Sequence, residues 1–126
     1  AIFVFERNNN LDFVKEDGDT INAELSLPII ESIFYKNSPL HDGAVIIVGN
    51  VIVATRVTLP ISKNRKIKKS LGLRHKAGIG VTEESDAISV VISEETGKLS
   101  YIKNGKIVDY KNDEELKELI SNDLLD

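Results

Sequence analysis

The chain has 126 residues, 41% of them hydrophobic, with no cysteine, methionine or tryptophan and a formal net charge of −4. That length fits one domain, residues 1–126, and that composition supports an aliphatic core while excluding disulfides, thiolate metal sites and thiol catalysis. The acidic balance argues against non-specific nucleic-acid binding, and no apolar run approaches the roughly 20 residues that cross a bilayer.

The chain opens without Met on the β-prone run Ala1–Phe5, which reads as a strand of a domain cut from a longer protein. Asn8-Asn9-Asn10 signals a turn, Leu11–Val14 a second short strand, and Asp17-Gly18-Asp19 another turn. Ser26 fits a helix N-cap with Pro28 in the first turn; Ile29, Ile30, Ile33 and Phe34 keep helical spacing, so a helix is predicted over 27–36. Asn37-Ser38-Pro39 ends it. The runs Ala44–Val48 and Val51–Ala54 flank Gly49-Asn50, a strong hairpin signal, and their unbroken apolar character fits central strands covered on both faces.

Residues 62–70 are polar and basic and read as an exposed loop. From Leu71 to Glu84 the chain reads as a loop through Gly72 and then a short helix, which Gly78 and Gly80 weaken. Ala87–Ser93 reads as a strand, Glu94–Gly97 as a tight turn, and Lys98–Ile102 as the next strand. Asn104-Gly105 is a second hairpin turn into Lys106–Tyr110, and Asp113 is positioned to cap a last helix with Leu116, Leu119, Ile120 and Leu124 on one stripe. No internal repeat is present. This order of elements predicts an α/β or α+β sandwich around a mostly mixed sheet.

Three segments carry candidate chemistry. In Ser38-Pro-Leu-His-Asp-Gly-Ala44, His41 and Asp42 sit on a turn entering a buried strand. There an aspartate can orient or deprotonate a hydroxyl, a histidine can ligate a metal, and Gly43 admits a ligand close to the backbone. In Gly72-Leu-Arg-His-Lys-Ala-Gly-Ile-Gly80, three cationic residues precede a helix, as in a phosphate cradle, although the pattern is not that of a P-loop. In Ser93-Glu-Glu-Thr-Gly97, two carboxylates and two hydroxyls at a strand end could hold a divalent ion or bond a phosphate. Each segment also reads as an ordinary polar or basic turn. The stretch Lys63–Lys69 reads as a solvated loop, or as charge that steers an anion.

Taken in order, Asp42-Gly43-Ala44, Arg74-His75-Lys76 and Ser93-Glu94-Glu95-Thr96-Gly97 closely resemble the catalytic domain of the diadenylate cyclases, most like their membrane-anchored subfamily. Leu40-His41, Thr58-Leu59-Pro60-Ile61-Ser62 and Val81-Thr82-Glu83 match as well, and the resemblance spans at least residues 26–102. It implies an α/β fold with a mixed central sheet flanked by helices. It implies condensation of two ATP into cyclic 3′,5′-di-AMP with loss of two pyrophosphates, helped by Mg²⁺ or Mn²⁺, between two protomers face to face.

By the same resemblance, Asp42 acts on the 3′-hydroxyl, and Gly43 and Ala44 admit the ribose. His41 and Glu95 place the metal; Arg74, His75, Lys76 and Ser93 hold phosphates, with Arg74 and His75 catalytic; and the backbone near Leu59 reads adenine. The family commonly has Gly-Thr-Arg-His-Arg in the second segment. Here Leu73 lacks that hydroxyl, and Lys76 keeps the charge without the planar fork. A cytoplasmic placement tethered to the inner face of the membrane is implied, with room for regulatory protein partners and no nucleic acid. Two other readings compete: a catalytically weak sensor of ATP or cyclic di-AMP, favoured by Leu73, and an interaction domain using the last helix.

Overall fold

The computed structural model describes residues 1–35, 43–67, 71–93 and 96–125. In chain order the elements are β1 (Ile2–Phe5), α1 (Asp12–Lys15), β2 (Asp19–Glu24), α2 (Leu27–Phe34), β3 (Ala44–Val48), β4 (Val51–Val57), α3 (Leu73–Glu83), β5 (Ile88–Ile92), β6 (Leu99–Lys103), β7 (Lys106–Val108) and α4 (Asp113–Leu125). The strands form one seven-stranded sheet ordered β2-β4-β3-β1-β5-β6-β7. Only β1 and β3 run parallel; every other described pair is antiparallel. The predicted mixed sheet flanked by helices, an α/β fold, is therefore what forms.

Strand alternation divides the core into two layers. Ile2 and Val4 of β1 join Ala44, Ile46, Val91 and Ile102 in the layer that also buries Leu11, Val14, Ile79 and Val81 of the α1 and α3 regions. Phe3 joins Val45, Ile47, Ile88, Val90 and Tyr101 in the opposite layer, closed by Ile33 of α2 and Leu116 of α4. The central strands β1, β3 and β5 are thus covered on both faces, which is why they read as unbroken apolar runs.

Several local expectations change. Residues 11–14 do not extend: Asp12–Lys15 is a helical turn. Leu11 and Val14, three residues apart, are both buried while Phe13 is half exposed, a helical spacing. Glu6 Oε1 accepts from the Leu11 N–H at 2.7 Å and from Lys15 Nζ at 3.0 Å, fixing that turn. Strand β2 was not foreseen, because it is a polar edge strand with little buried surface. Helix α2 begins as predicted, with Ser26 Oγ accepting from Ile29 N, but Tyr35 is extended and ends it at Phe34. Asn112, rather than Asp113, caps α4: its Oδ1 accepts from Glu115 N at 2.9 Å. Strand β4 runs three residues past Ala54, to Val57.

Both predicted hairpin turns form. Val48 pairs with Val51 and Lys103 with Lys106, each across two residues. Asn104 and Gly105 both take positive φ, the geometry that matches strand twist in a tight hairpin.

The glycines of α3 are packing residues. A Cβ on Gly78 would lie 2.9 Å from both Ile102 Cδ1 and Val91 Cγ2. A Cβ on Gly80 would lie 1.9 Å from the Pro60 carbonyl oxygen. Both glycines cost helix propensity, and both let α3 lie against its neighbours closely.

Candidate active site

A cleft of about 200 Å³ opens beside the first turns of α3. Ile2, Gly43, Ala44 and Val57 form its sheet side, Thr58, Leu59 and Ile61 one wall, and Leu73, Arg74 and Ala77 the helix side. It sits at the start of the parallel pair, where Ile2 is in register with Ala44. That is the amino end of these strands, opposite to the carboxyl-end crevice of open parallel sheets.

The backbone around the cleft is tightly specified. Gly43 has φ +80°, and a Cβ there would lie 2.8 Å from the Arg56 carbonyl carbon and 3.0 Å from the Val57 oxygen. Only glycine fits that position. The β3–β4 ladder shifts register between Ala44 and Ile46, and Arg56, on the longer strand of that bulge, has φ +57°. Left-handed backbone in a non-glycine residue is costly and persists where its surroundings impose it. Here it turns the end of β4 toward the segment 58–62. An ion pair from Arg56 to Asp19 at 3.4 Å ties the bulge to β2.

The wall 58–62 has no regular structure of its own and is fastened to α3. Ser62 N–H donates to the Lys76 carbonyl at 3.0 Å. Pro60 lies directly against Gly80, and Leu59 is buried. Leu73 and Ile61, 69% and 47% exposed, leave an apolar rim at the mouth. Amides of the first turn of α3, unpaired within the helix, bring partial positive charge to the same mouth.

The structure brings Gly43, Ala44, Leu59, Leu73 and Arg74 together at this cleft. His75 turns the other way. Its Nε2 is 3.2 Å from Ser100 Oγ on β6, and burial holds its pKa below the ordinary imidazole value, so the ring is neutral near pH 7. Lys76 lines a neighbouring groove with Ser62, Lys63, Asn64, Arg65 and Ile67. Ser93 follows β5 directly, where its N–H donates to the Lys98 carbonyl at 3.0 Å and its Oγ accepts from Thr96 N at 3.3 Å. His41, Asp42 and Glu95 lie outside the described residues. Among the described residues no three His, Asp or Glu side chains gather into a cation site. Ile2, Val57, Thr58, Ile61 and Ala77 were not singled out by their chemistry, since apolar and hydroxyl side chains carry no signal of a cleft until the chain is folded.

Comparison with known proteins shows the family. The profile of the DAC family, described as DisA bacterial checkpoint controller nucleotide-binding, matches residues 1–107. The diadenylate cyclase CdaS of Bacillus thuringiensis is 48% identical over 105 residues, 83% of this chain and 52% of that protein. The cyclic di-AMP synthase CdaA of Bacillus subtilis is 40% identical over 120 residues, 95% of this chain and 44% of that protein. The chain thus spans about half the length of these curated relatives. A crystal structure of DacA from Staphylococcus aureus, carrying two cysteine substitutions, superposes with a TM-score of 0.94 at 40% identity, covering 100% of this chain and 84% of that one. A hypothetical membrane spanning protein of Bacillus cereus gives 0.84 at 45% identity, covering 89% and 55%. With a nucleotide-binding family profile across most of its length and its Gly43–Arg74 cleft on the matching fold, the chain belongs to the DAC family of diadenylate cyclase domains.

Proposed function

We propose that the chain is the catalytic domain of a diadenylate cyclase, joining two ATP into cyclic 3′,5′-di-AMP and releasing two pyrophosphates. The observation that carries this reading is the cleft itself: a backbone-floored apolar slot with Arg74 and a helix N-terminus at its mouth. The slot is assigned to the adenosine, with the phosphates directed toward the charge at its mouth.

In this reading Gly43 and Ala44 lie under the ribose, and the backbone at Leu59 meets the adenine edge. Asp42 orients the 3′-hydroxyl and accepts its proton. The 3′-oxygen attacks the α-phosphorus of the opposite nucleotide, the bond from that phosphorus to the bridging oxygen breaks, and pyrophosphate departs with the electron pair. Arg74 and Ser93 bind phosphate oxygens, and Arg74 counters the charge that develops on the leaving group. His75 acts from behind, its hydrogen bond to Ser100 holding the first turn of α3 on the sheet. Lys76 adds positive charge from the adjoining groove. His41 and Glu95, with the triphosphate, are assigned a divalent cation, Mg²⁺ or Mn²⁺, which would neutralise phosphate charge.

Two such clefts must face each other, because one protomer holds one nucleotide. The exposed apolar rim of Leu73 and Ile61 favours that pairing. Among the described residues no helix is long and apolar enough to cross a membrane. We place the domain on the cytoplasmic side, tethered through other parts of a longer protein and open to regulatory partners.

The test is incubation of the purified chain with ATP and Mn²⁺ or Mg²⁺, with nucleotide products separated by chromatography. Cyclic di-AMP is the expected product. Asp42→Asn and Arg74→Ala should each lower its rate by about 100-fold or more, the usual scale for a general base or a charge-stabilising donor. Full activity in both variants would overturn the mechanism. One observation favours a second reading: Leu73 puts an alkyl group where the family commonly has a hydroxyl at the mouth. ATP binding without product under either metal would make the domain a nucleotide sensor.

A further inference from the structure

The basic stretch after Ser62 is not used by the cleft. It builds a separate groove of about 370 Å³, lined by Ser62, Lys63, Asn64, Arg65, Ile67 and Lys76. Among the described residues three cations border it and no carboxylate does. None of Lys63, Arg65 or Lys76 makes an ion pair among the described residues. The loop is held in shape without these charges: Asn64 N donates to Ser62 Oγ at 3.3 Å, and Lys66 N to Asn64 Oδ1 at 3.0 Å. Ser62 itself is buried, 7% exposed, so the groove has a fixed back wall.

Like charges around one recess repel, and in a chain with net charge −4 that repulsion is easily relieved by placing a carboxylate there. None is present among the described residues of the lining. A small polyanion relieves it instead, with Arg65 able to donate two parallel bonds and the lysines acting as point charges. Three positive charges favour a multiply charged phosphate over a monoanion.

We propose that this groove is a second anion site, for an inorganic polyphosphate of the pyrophosphate class, distinct from the Gly43–Arg74 cleft. Its wall is also the wall of the cleft. The segment 58–62 turns Leu59 and Ile61 to the cleft and Ser62 to the groove, and Ser62 N–H is bonded to the carbonyl of Lys76, which borders the groove. An anion gripped between Lys63, Arg65 and Lys76 therefore fixes the wall against α3. Resting on the nucleotide reading of the cleft, the consequence is that polyphosphate released by turnover changes nucleotide affinity from next door.

The test is titration calorimetry on the whole chain at low salt, without divalent metal, using pyrophosphate, ATP and adenosine as probes. The variants are the exposed double replacement Lys63→Ala/Arg65→Ala and, separately, Arg74→Ala, each checked for unchanged circular dichroism. The expected result is two pyrophosphate-binding events in the parent chain, one weakened about tenfold or more in the double variant, the scale of losing charge-assisted contacts, and the other, at the cleft mouth, weakened in Arg74→Ala instead. Adenosine binding should be unchanged in the double variant. Three results would overturn the proposal. One is no pyrophosphate binding to the parent chain. Another is pyrophosphate binding that follows Arg74 alone. The third is ATP and pyrophosphate weakened in parallel by the double variant, which would make the groove the seat of the nucleotide's own phosphates. No turnover is read, so failure of the cyclase assay leaves the anion site standing or falling on its own measurement.

Discussion

At the scale of single residues, Gly78 and Gly80 show how a helix can be chosen against its own propensity. Two glycines within three positions argue against a helix, yet α3 runs eleven residues through both. The explanation is contact, which local sequence does not display. Gly80 faces a backbone oxygen, which cannot rotate away, whereas Gly78 faces side-chain methyl groups. Gly80→Ala should therefore cost about 2–3 kcal/mol in urea unfolding, the range for forcing atoms into a packed site. It should also release the wall 58–62, so nucleotide affinity falls with stability. Gly78→Ala should cost less, because the methyl groups it meets can shift, while the roughly 1 kcal/mol of regained helix propensity is common to both positions. Equal losses would mean that the Pro60 contact is not what holds the cleft. Gly43 and Asn104-Gly105 were legible beforehand, since a turn signal is written in neighbouring residues. Arg56 was not, because its positive φ belongs to a register shift between two strands.

At the scale of elements, the sequence was read well where one face of one element carries the pattern. Strands β3, β5 and β6 and helix α2 all fall within a few residues of expectation. The misreadings share one cause. The four-residue helix α1 and the edge strand β2 are too short or too polar for periodicity to separate helix from strand. The attachment of α4 was also hidden. Its stripe buries Leu116, but Asp123 near its end accepts hydrogen bonds from Tyr101 Oη and from Lys103 Nζ, the latter at 2.6 Å. Burial raises the Asp123 pKa, but the bonds from Lys103 and Tyr101 and the charge of Lys103 outweigh it, leaving the carboxyl below the ordinary aspartate range. Burial, reinforced by Asp123, pushes the Tyr101 phenol well up, so it stays protonated and keeps donating.

A depressed folded-state pKa contributes stability above the unfolded aspartate value, and that contribution fades as pH falls through the lower folded value. Acid should therefore loosen α4 in that window. Asp123→Asn should remove this part of the acid dependence and cost about 1 kcal/mol at neutral pH, a modest value for a pair at a solvent-accessible helix end. An unchanged pH profile of unfolding in this variant would show that the contact does not hold α4 down.

At the scale of the whole molecule, the cleft is open and its rim apolar, so the specific rate of cyclic di-AMP formation should rise with protein concentration. Replacing both rim residues, Ile61→Ser and Leu73→Ser, should weaken that rise by more than it weakens ATP binding per chain. A specific rate independent of concentration over a wide range would argue for a site complete in one chain, or for a dimer too tight to dilute. Of the polar motifs, Gly43 and Arg74 are the ones that meet at the cleft, and they were legible because charged and turn-forming residues declare themselves. The apolar half of the cleft was not, because Ile2, Val57 and Ala77 look like any other core residue until three elements meet.

The position of β1 has a consequence for how the molecule assembles. It is the first strand in the chain, yet its partners begin at Ala44 on one side and Ile88 on the other. On either side of it lies a set of antiparallel strands, β2-β4-β3 and β5-β6-β7, built largely from nearby pairings. Short-range hairpins close sooner than long-range ladders, because less chain entropy is lost in closing them. Two half-sheets should thus form early, and β1 should seat last as the strip that joins them. Ile2 lines the cleft beside Ala44, so the ability to hold a nucleotide should arrive with that final seam, and no half of the protein should acquire it alone.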